Sequence, residues 1–229
     1  MRVFAIGDLH LSEANPKPMD VFGEHWFQHW ERIKNNWINR VEDEDVVLIP
    51  GDISWAMRLE EAKPDLDSIG RLPGRKILIR GNHDYWWASI SKVRKLLPCN
   101  MFAIQNDSVI IDDIAFCGTR GWAVLEGRED VAHDIKVFNR ELNRLKLSLD
   151  SAKDAYEIVV MLHYPPFAEM GKENDMARMI RQYPVKHVVF GHLHGASLSS
   201  AVEGEIDGIT YHLVSCDYLN FDLKLIMER

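Results

Sequence analysis

Along the chain, short apolar runs stop repeatedly at glycine or proline. Residues 3–6 end at Gly7, residues 46–49 at Pro50-Gly51, residues 77–79 at Arg80-Gly81, and residues 188–190 at Gly191. Residues 158–162 end instead at His163, just before Tyr164-Pro165-Pro166. Runs this short, rich in Val and Ile and bounded by Gly or Pro, predict buried strands. Between them the spacing changes to that of helices. Trp26, Trp30, Ile33, Trp37 and Val41 form one amphipathic stripe, and Val131, Ile135, Phe138, Leu142, Leu145 and Leu149 form a longer one. A hairpin is predicted at Asp112-Asp113, joining residues 109–111 to 114–116. Residues 209–214 and 223–226 read as further strands, expected in a second, partly antiparallel sheet. Strands alternating with helices predict an α/β fold, its sheet covered by helices.

The 229 residues contain no repeat, low-complexity tract or linker, so a single domain over 1–229 is expected. The charged, Met-rich stretch 165–183 is a candidate cap, with Arg178 and Arg181 read as a solvated helix face. Twenty-seven basic against 35 acidic residues leave a net charge of −8, which speaks against duplex DNA or an anionic membrane as partner. Cys99, Cys117 and Cys216 are scattered without a C-x-x-C pair, so neither a disulfide framework nor a thiolate zinc site is expected. The first apolar run is too short for a signal-peptide core, and no run approaches about 18 apolar residues. A reduced, cytoplasmic setting is the expectation.

The chemistry lies in the residues just past each strand. The blocks are Gly7-Asp8-Leu9-His10, Gly51-Asp52, Gly81-Asn82-His83-Asp84, His163, and Gly191-His192-Leu193-His194. Ligands of α/β folds gather beyond the carboxyl ends of strands, and carboxylate, imidazole and amide are all metal donors. Residues two apart in extended backbone point to one side, which predicts that Asp8 converges with His10, and His192 with His194. Asp8, His10, Asp52, Asn82, His163, His192 and His194 are too many for one divalent ion. They suit two ions sharing a carboxylate, and Asp52 has two oxygens with which to bridge. Such paired ions generate a hydroxide and clamp an in-line phosphoryl displacement. Two dications less two carboxylates and a hydroxide leave a local charge of about +1, which favours a phosphate oxyanion. Oxygen and nitrogen donors without thiolate suit Mn, Fe, Zn or Co.

Any one block has an ordinary explanation, as a turn or capping Asp or a hydrogen-bonded core His. Five in series do not. His25, His29, His133 and His187 read as structural, whereas His212, alternating along a late strand, is a weaker candidate to approach the site. Trp26, Trp30 and Trp37 have core spacing. Trp55, Tyr85 and Trp86 lie close to Asp52 and His83 in sequence and are candidates for lining a substrate pocket.

The ordered blocks resemble the signature of the calcineurin-like metallophosphoesterases over residues 7–194. The resemblance implies a four-layer α/β/β/α sandwich of two mixed sheets flanked by helices. It also implies two divalent ions, one held by Asp8, His10 and His194, the other by Asn82, His163 and His192, with Asp52 between them. His83 would face the substrate as proton donor or phosphoryl stabiliser, its ring oriented by Asp84. Ile53-Ser54-Trp55-Ala56 stands where the family's protein phosphatases carry Asp-Arg-Gly. His83 stands where its lipid-pathway hydrolases carry arginine, and there is little room for the DNA-capping domain of its nucleases. The expectation is a small stand-alone phosphohydrolase that attacks a small phosphate ester with a metal-bridging hydroxide, a phosphodiester such as a nucleotide being favoured. The alternative is a phosphomonoesterase using the same site, and the remote one a non-catalytic protein-binding scaffold.

Overall fold

Alternate residues of the central strands serve two different cores, which is why these strands are apolar on both faces. Val3 and Ala5 point inward to Phe116, Val159, Met161 and Val189, while Phe4 and Ile6 point outward to Trp37, Leu66 and Ile69. The computed structural model describes residues 1–124, 130–167 and 171–229. Among them, β1 (Arg2–Ala5), β2 (Val46–Ile49), β3 (Arg75–Leu78) and β4 (Met101–Ala103) are parallel neighbours, with β11 (Lys224–Glu228) antiparallel outside β1. The second sheet contains β5 (Val109–Ile111), β6 (Ile114–Thr119), β7 (Glu157–Leu162), β8 (Val185–Phe190), β9 (Gly204–Ile206) and β10 (Ile209–Leu213). Its order is β5-β6-β7-β8-β10-β9, parallel from β6 to β10 and antiparallel at both edges.

Helices close both outer faces. α1 (His29–Arg40), α2 (Leu59–Gly70) and α3 (Ile90–Leu96) cover the first sheet. α4 (Val131–Asp150) and α5 (Asp175–Ile180) cover the second. This is the four-layer α/β/β/α sandwich. Each fully buried aliphatic side chain in these cores contributes about 2 kcal/mol of apolar burial. Among the described residues no helix is long and apolar enough to cross a membrane.

Several expectations change in detail. The tryptophan stripe is not one helix. Gln28 takes a left-handed backbone (φ 51°), so Trp26 lies in a preceding 3-10 turn and α1 begins at His29. The apolar face survives the break, with Trp26, Ile33, Trp37 and Val41 all buried. The two C-terminal strands do not share a sheet: β10 lies beside β8, and β11 crosses to β1. On α4 the buried face includes Glu141 and Ser148, while Ile135 is exposed. Of the candidate cap, residues 168–170 lie outside the described residues. Farther along, α5 packs Met176, Ala177 and Ile180 into the second sheet's core. Arg178 pairs with Asp175, and Arg181 with Glu173 and Asp207, so both arginines are engaged in surface ion pairs.

Candidate metal centre

The strand ends turn inward by strained backbone rather than by strand alternation. Asp8 (φ 59°), His10 (φ 48°), Asp52 (φ 49°) and His192 (φ 71°) all occupy the left-handed region. Such residues cost about 1–3 kcal/mol each and persist where the surroundings dictate them. Here backbone bonds run between the loops: Asp8 N donates to Gly51 O (3.1 Å), His10 N to Asp52 O (3.0 Å) and Gly7 N to Val214 O (2.6 Å). Glycine is required where loops touch. A Cβ at Gly81 would overlap the Asp52 carboxylate, and one at Gly191 the Asp8 carboxylate.

Two donor clusters result. One atom each of Asp8, His10 and His194 lie within 4.8 Å of one another, as do those of Asp8, Asp52 and His163. The first trio is the set expected for one ion. In the second, Asp8 joins Asp52 at the junction, a place the sequence pattern reserves for Asp52 alone. His163 Nδ1 donates to the Pro50 carbonyl (3.0 Å), leaving Nε2 as a lone pair directed at Asn82 Oδ1 (2.6 Å) and Asp52 Oδ2 (3.5 Å). His192 stands outside both clusters. Its ring lies 5.0 Å from that of His163 and 3.9 Å from Tyr164, and its backbone N–H donates to the Asp8 carboxylate.

Electrostatics make this a site in want of positive charge. Burial disfavours the charged forms of His10, His163 and His192, pushing His10 and His192 down to about 3. Burial, with the nearby charges of Asp84 and Asp8, pushes the Asp52 carboxyl up. Burial would raise Asp8 as well, but the hydrogen bond and charge of His194, helped by His163 and His10, hold it below the carboxylate range. His194 is raised to about 10 despite its burial, through Asp217 and Asp8.

The donor set fits divalent cations. With Nδ1 donating to Pro50, His163 Nε2 is an unprotonated donor atom 2.6 Å from the Asn82 side-chain amide, and full burial favours that neutral imidazole. Among the described residues, buried His10 Nδ1 has no hydrogen-bond partner. Neutral imidazoles beside crowded carboxylates are the ligands that borderline divalent metals take.

Asp217 escapes a reading of the sequence alone. It accepts from His194 Nδ1 (2.9 Å) and so turns Nε2 toward Asp8. The signal was available, since the run 209–214 ends at Ser215-Cys216-Asp217, one more strand-end block. Cys216 is a buried thiol donating to the Asp8 carbonyl (3.0 Å). His212 faces His187 (3.2 Å) and not this site.

The other candidates separate. His83 is anchored by its backbone N–H on Asp52 Oδ1 (2.8 Å), and its ring lies 4.7 Å from Trp55 and 5.9 Å from His10. It lines a cleft of 330 Å³ together with His10, Asp52, Trp55, His192 and His194, walled by Met19, Phe22 and Trp26. Trp55 stacks on His10 (4.7 Å, 21°), and Tyr85 stands exposed outside the cleft's lining, 6.3 Å from the ring of His83. Two assignments need correction. Trp86 is 1% exposed and its indole N–H donates to Asp84, so its ring belongs to the core and not to a substrate pocket. The Asp84 carboxylate is not spent on the ring of His83. It accepts from the backbone of Ile53, Ser54 and Gly81 and from Trp86, tying the Asp52 loop to the Asn82–His83 loop.

A family model described as calcineurin-like phosphoesterase matches residues 1–196. The chain belongs to this family. No curated protein sequence matches it. This calcineurin-like chain is also similar to a solved structure, a protein of unknown function (AQ665) from Aquifex aeolicus. The two are 12% identical with a TM-score of 0.51, covering 98% of this chain and 95% of the other, a likeness of fold alone. Membership implies a metal-dependent hydrolase, and the two donor clusters give the metal a place.

Proposed function

We propose that the chain is a dinuclear-metal phosphoesterase acting on a small phosphate ester, with a phosphodiester such as a nucleotide favoured. The observation that carries this reading is the pair of donor clusters sharing Asp8, whose members His10, Asp52 and His194 line a cleft together with His83. Asp8, His10 and His194 would hold one ion and Asp52, Asn82 and His163 the other, with His192 supporting the second ion's ligands or, on rotating its ring, joining them. Two divalent ions of the Mn, Fe, Zn or Co class would supply Lewis-acid polarisation of a phosphoryl oxygen and lower the pKa of an attacking water.

The chain's own residues do the rest. Asp217 and Pro50 fix the tautomers of His194 and His163. The His83 imidazole, across the cleft, protonates the departing alkoxide or steadies a phosphoryl oxygen. That favours a diester, whose leaving group is poor. Trp55 and Tyr85 offer flat apolar faces to the leaving group. The proposed setting is the reduced cytoplasm, in keeping with three free cysteines, and the net charge of −8 favours a small ester over duplex DNA or a membrane.

The test is hydrolysis of bis(p-nitrophenyl) phosphate and p-nitrophenyl phosphate by chelator-treated protein resupplied with Mn. Metal-dependent diester turnover supports the reading, and monoester turnover alone makes the chain a phosphatase. Silence on both, with no metal bound, leaves the scaffold.

A further inference from the structure

We propose that a cavity beside the metal centre, at the seam between the two sheets, is a second anion site built by Arg80, Arg120 and Arg144 for a phosphoryl group. It has a volume of 180 Å³, about six water volumes, enough for a tetrahedral oxyanion with part of its hydration. Its walls come from residues 79–80 after β3, residues 104–106 after β4, residues 118–120 at the end of β6, and Glu141 and Arg144 of α4. This inference does not rest on the phosphoesterase reading.

Among the described residues positive charge is in excess here, Arg80, Arg120 and Arg144 against Glu141, in a chain whose net charge is −8. Fully buried Glu141 accepts from Thr119 Oγ1 (2.7 Å) and Arg144 (2.8 Å), with Arg120 at 3.5 Å and Arg140 at 3.7 Å. One carboxylate has about four lone-pair positions, whereas each guanidinium carries five N–H donors. Arg80 adds a further cation, and its Nε donates to the Asp84 carbonyl (3.2 Å). Arg120 also lines the cavity, its side chain 13% exposed and its guanidinium 4.6 Å from the ring of Trp122. Arginines present solely to neutralise Glu141 would not bring Arg80 to the cavity as well. An anion with several acceptor oxygens answers that surplus of donors, and guanidinium forks match phosphate geometry.

The cavity adjoins the catalytic loops. Arg80 directly precedes Gly81-Asn82-His83, and the Arg120 carbonyl accepts from the backbone of His163 (3.1 Å) and Tyr164 (2.9 Å). Its phosphoryl occupant is either a second phosphate on the substrate or a free phosphate ion.

The test is calorimetric titration of the full-length chain, held in chelator so that the metal centre is silent, with inorganic phosphate. The wild type binds one phosphate. Arg144→Gln and Arg80→Gln each weaken it at least about tenfold. Glu141→Gln, which frees the guanidiniums from their carboxylate, tightens it severalfold. Arg80→Gln covers the case in which Arg144→Gln misfolds by stranding Glu141. No phosphate binding at millimolar concentration, or equal binding by wild type and the two arginine variants, overturns the proposal. On the metal-loaded protein, a KM raised by Arg144→Gln only for a p-nitrophenyl ester carrying a second phosphoryl group identifies a substrate phosphate. Relief of inhibition by free phosphate, with KM unchanged, identifies the free ion. The chelated titration stands or falls whether or not the chain proves to be a hydrolase.

Discussion

Asp52 and Glu141 are both buried carboxylates near the carboxyl ends of strands, and they keep opposite company. Asp52 sits among Asp8, Asp84 and imidazoles that burial holds neutral, so its own ionisation is resisted. Glu141 sits among three guanidiniums and a threonine hydroxyl. A buried charge is tolerable when paired and hydrogen-bonded, and costly when it is not. The first cluster is short of positive charge and calls for cations; the second has a surplus and calls for an anion. The sign that is missing assigns each cavity a class of ligand before any ligand is seen.

The comparison breaks most visibly at Asp52. Asp52→Asn should lower kcat at least about 10³-fold and reduce bound metal from two equivalents to one or none, measured by kinetics and elemental analysis. His83→Ala should lower kcat roughly 10²-fold with metal content unchanged, since its ring lines the cleft and its anchor to Asp52 is backbone. Metal loss in that variant would make His83 a ligand.

Stability effects come next. Glu141→Gln leaves clustered guanidiniums without their counter-charge and should cost about 3 kcal/mol, roughly 6–12 °C in Tm by calorimetry, partly restored by phosphate. Asp84→Asn disturbs four accepted hydrogen bonds and should cost about 2 kcal/mol. One stability effect has the opposite sign. Asp52 is pushed up to about 8 in the metal-free fold, against about 3.9 unfolded. The folded state therefore keeps its proton longer, and stability falls as pH rises from about 4 to 8. Asn has nothing to ionise. Metal-free Asp52→Asn should thus be more stable than wild type at pH 8, with the gain vanishing at pH 4, measured by calorimetry at the two pH values.

The sequence was most legible where chemistry is local. A run such as 46–49 leading into Gly51-Asp52 shows its strand, turn and candidate ligand within seven residues, and β2 is Val46–Ile49. What depends on distant partners was not legible. Glu141 is buried because Thr119, 22 residues earlier, and the arginines meet it there. Lys76 looks like an exposed strand position, yet it is fully buried and its Nζ donates to the carbonyls of Leu72 and Gly74 in the turn between α2 and β3. Trp86 and Trp55 were indistinguishable by position, and only the hydrogen bond to Asp84 places one ring in the core while the other stacks on His10. The left-handed turns at Asp8, His10 and Asp52 run against the preference of non-glycine residues, so extended backbone was the natural but mistaken expectation.

The central claim, that the Asp8–Asp52 cluster exists to hold a pair of cations, is tested most directly by titrating Mn(II) into chelator-stripped protein under electron paramagnetic resonance. Wild type should take up two equivalents with the spectrum of an exchange-coupled pair about 3.5–4 Å apart, and Asp52→Asn at most one isolated ion. Failure of wild type to bind Mn stoichiometrically, or an Asp52→Asn variant that still binds a coupled pair, would contradict it.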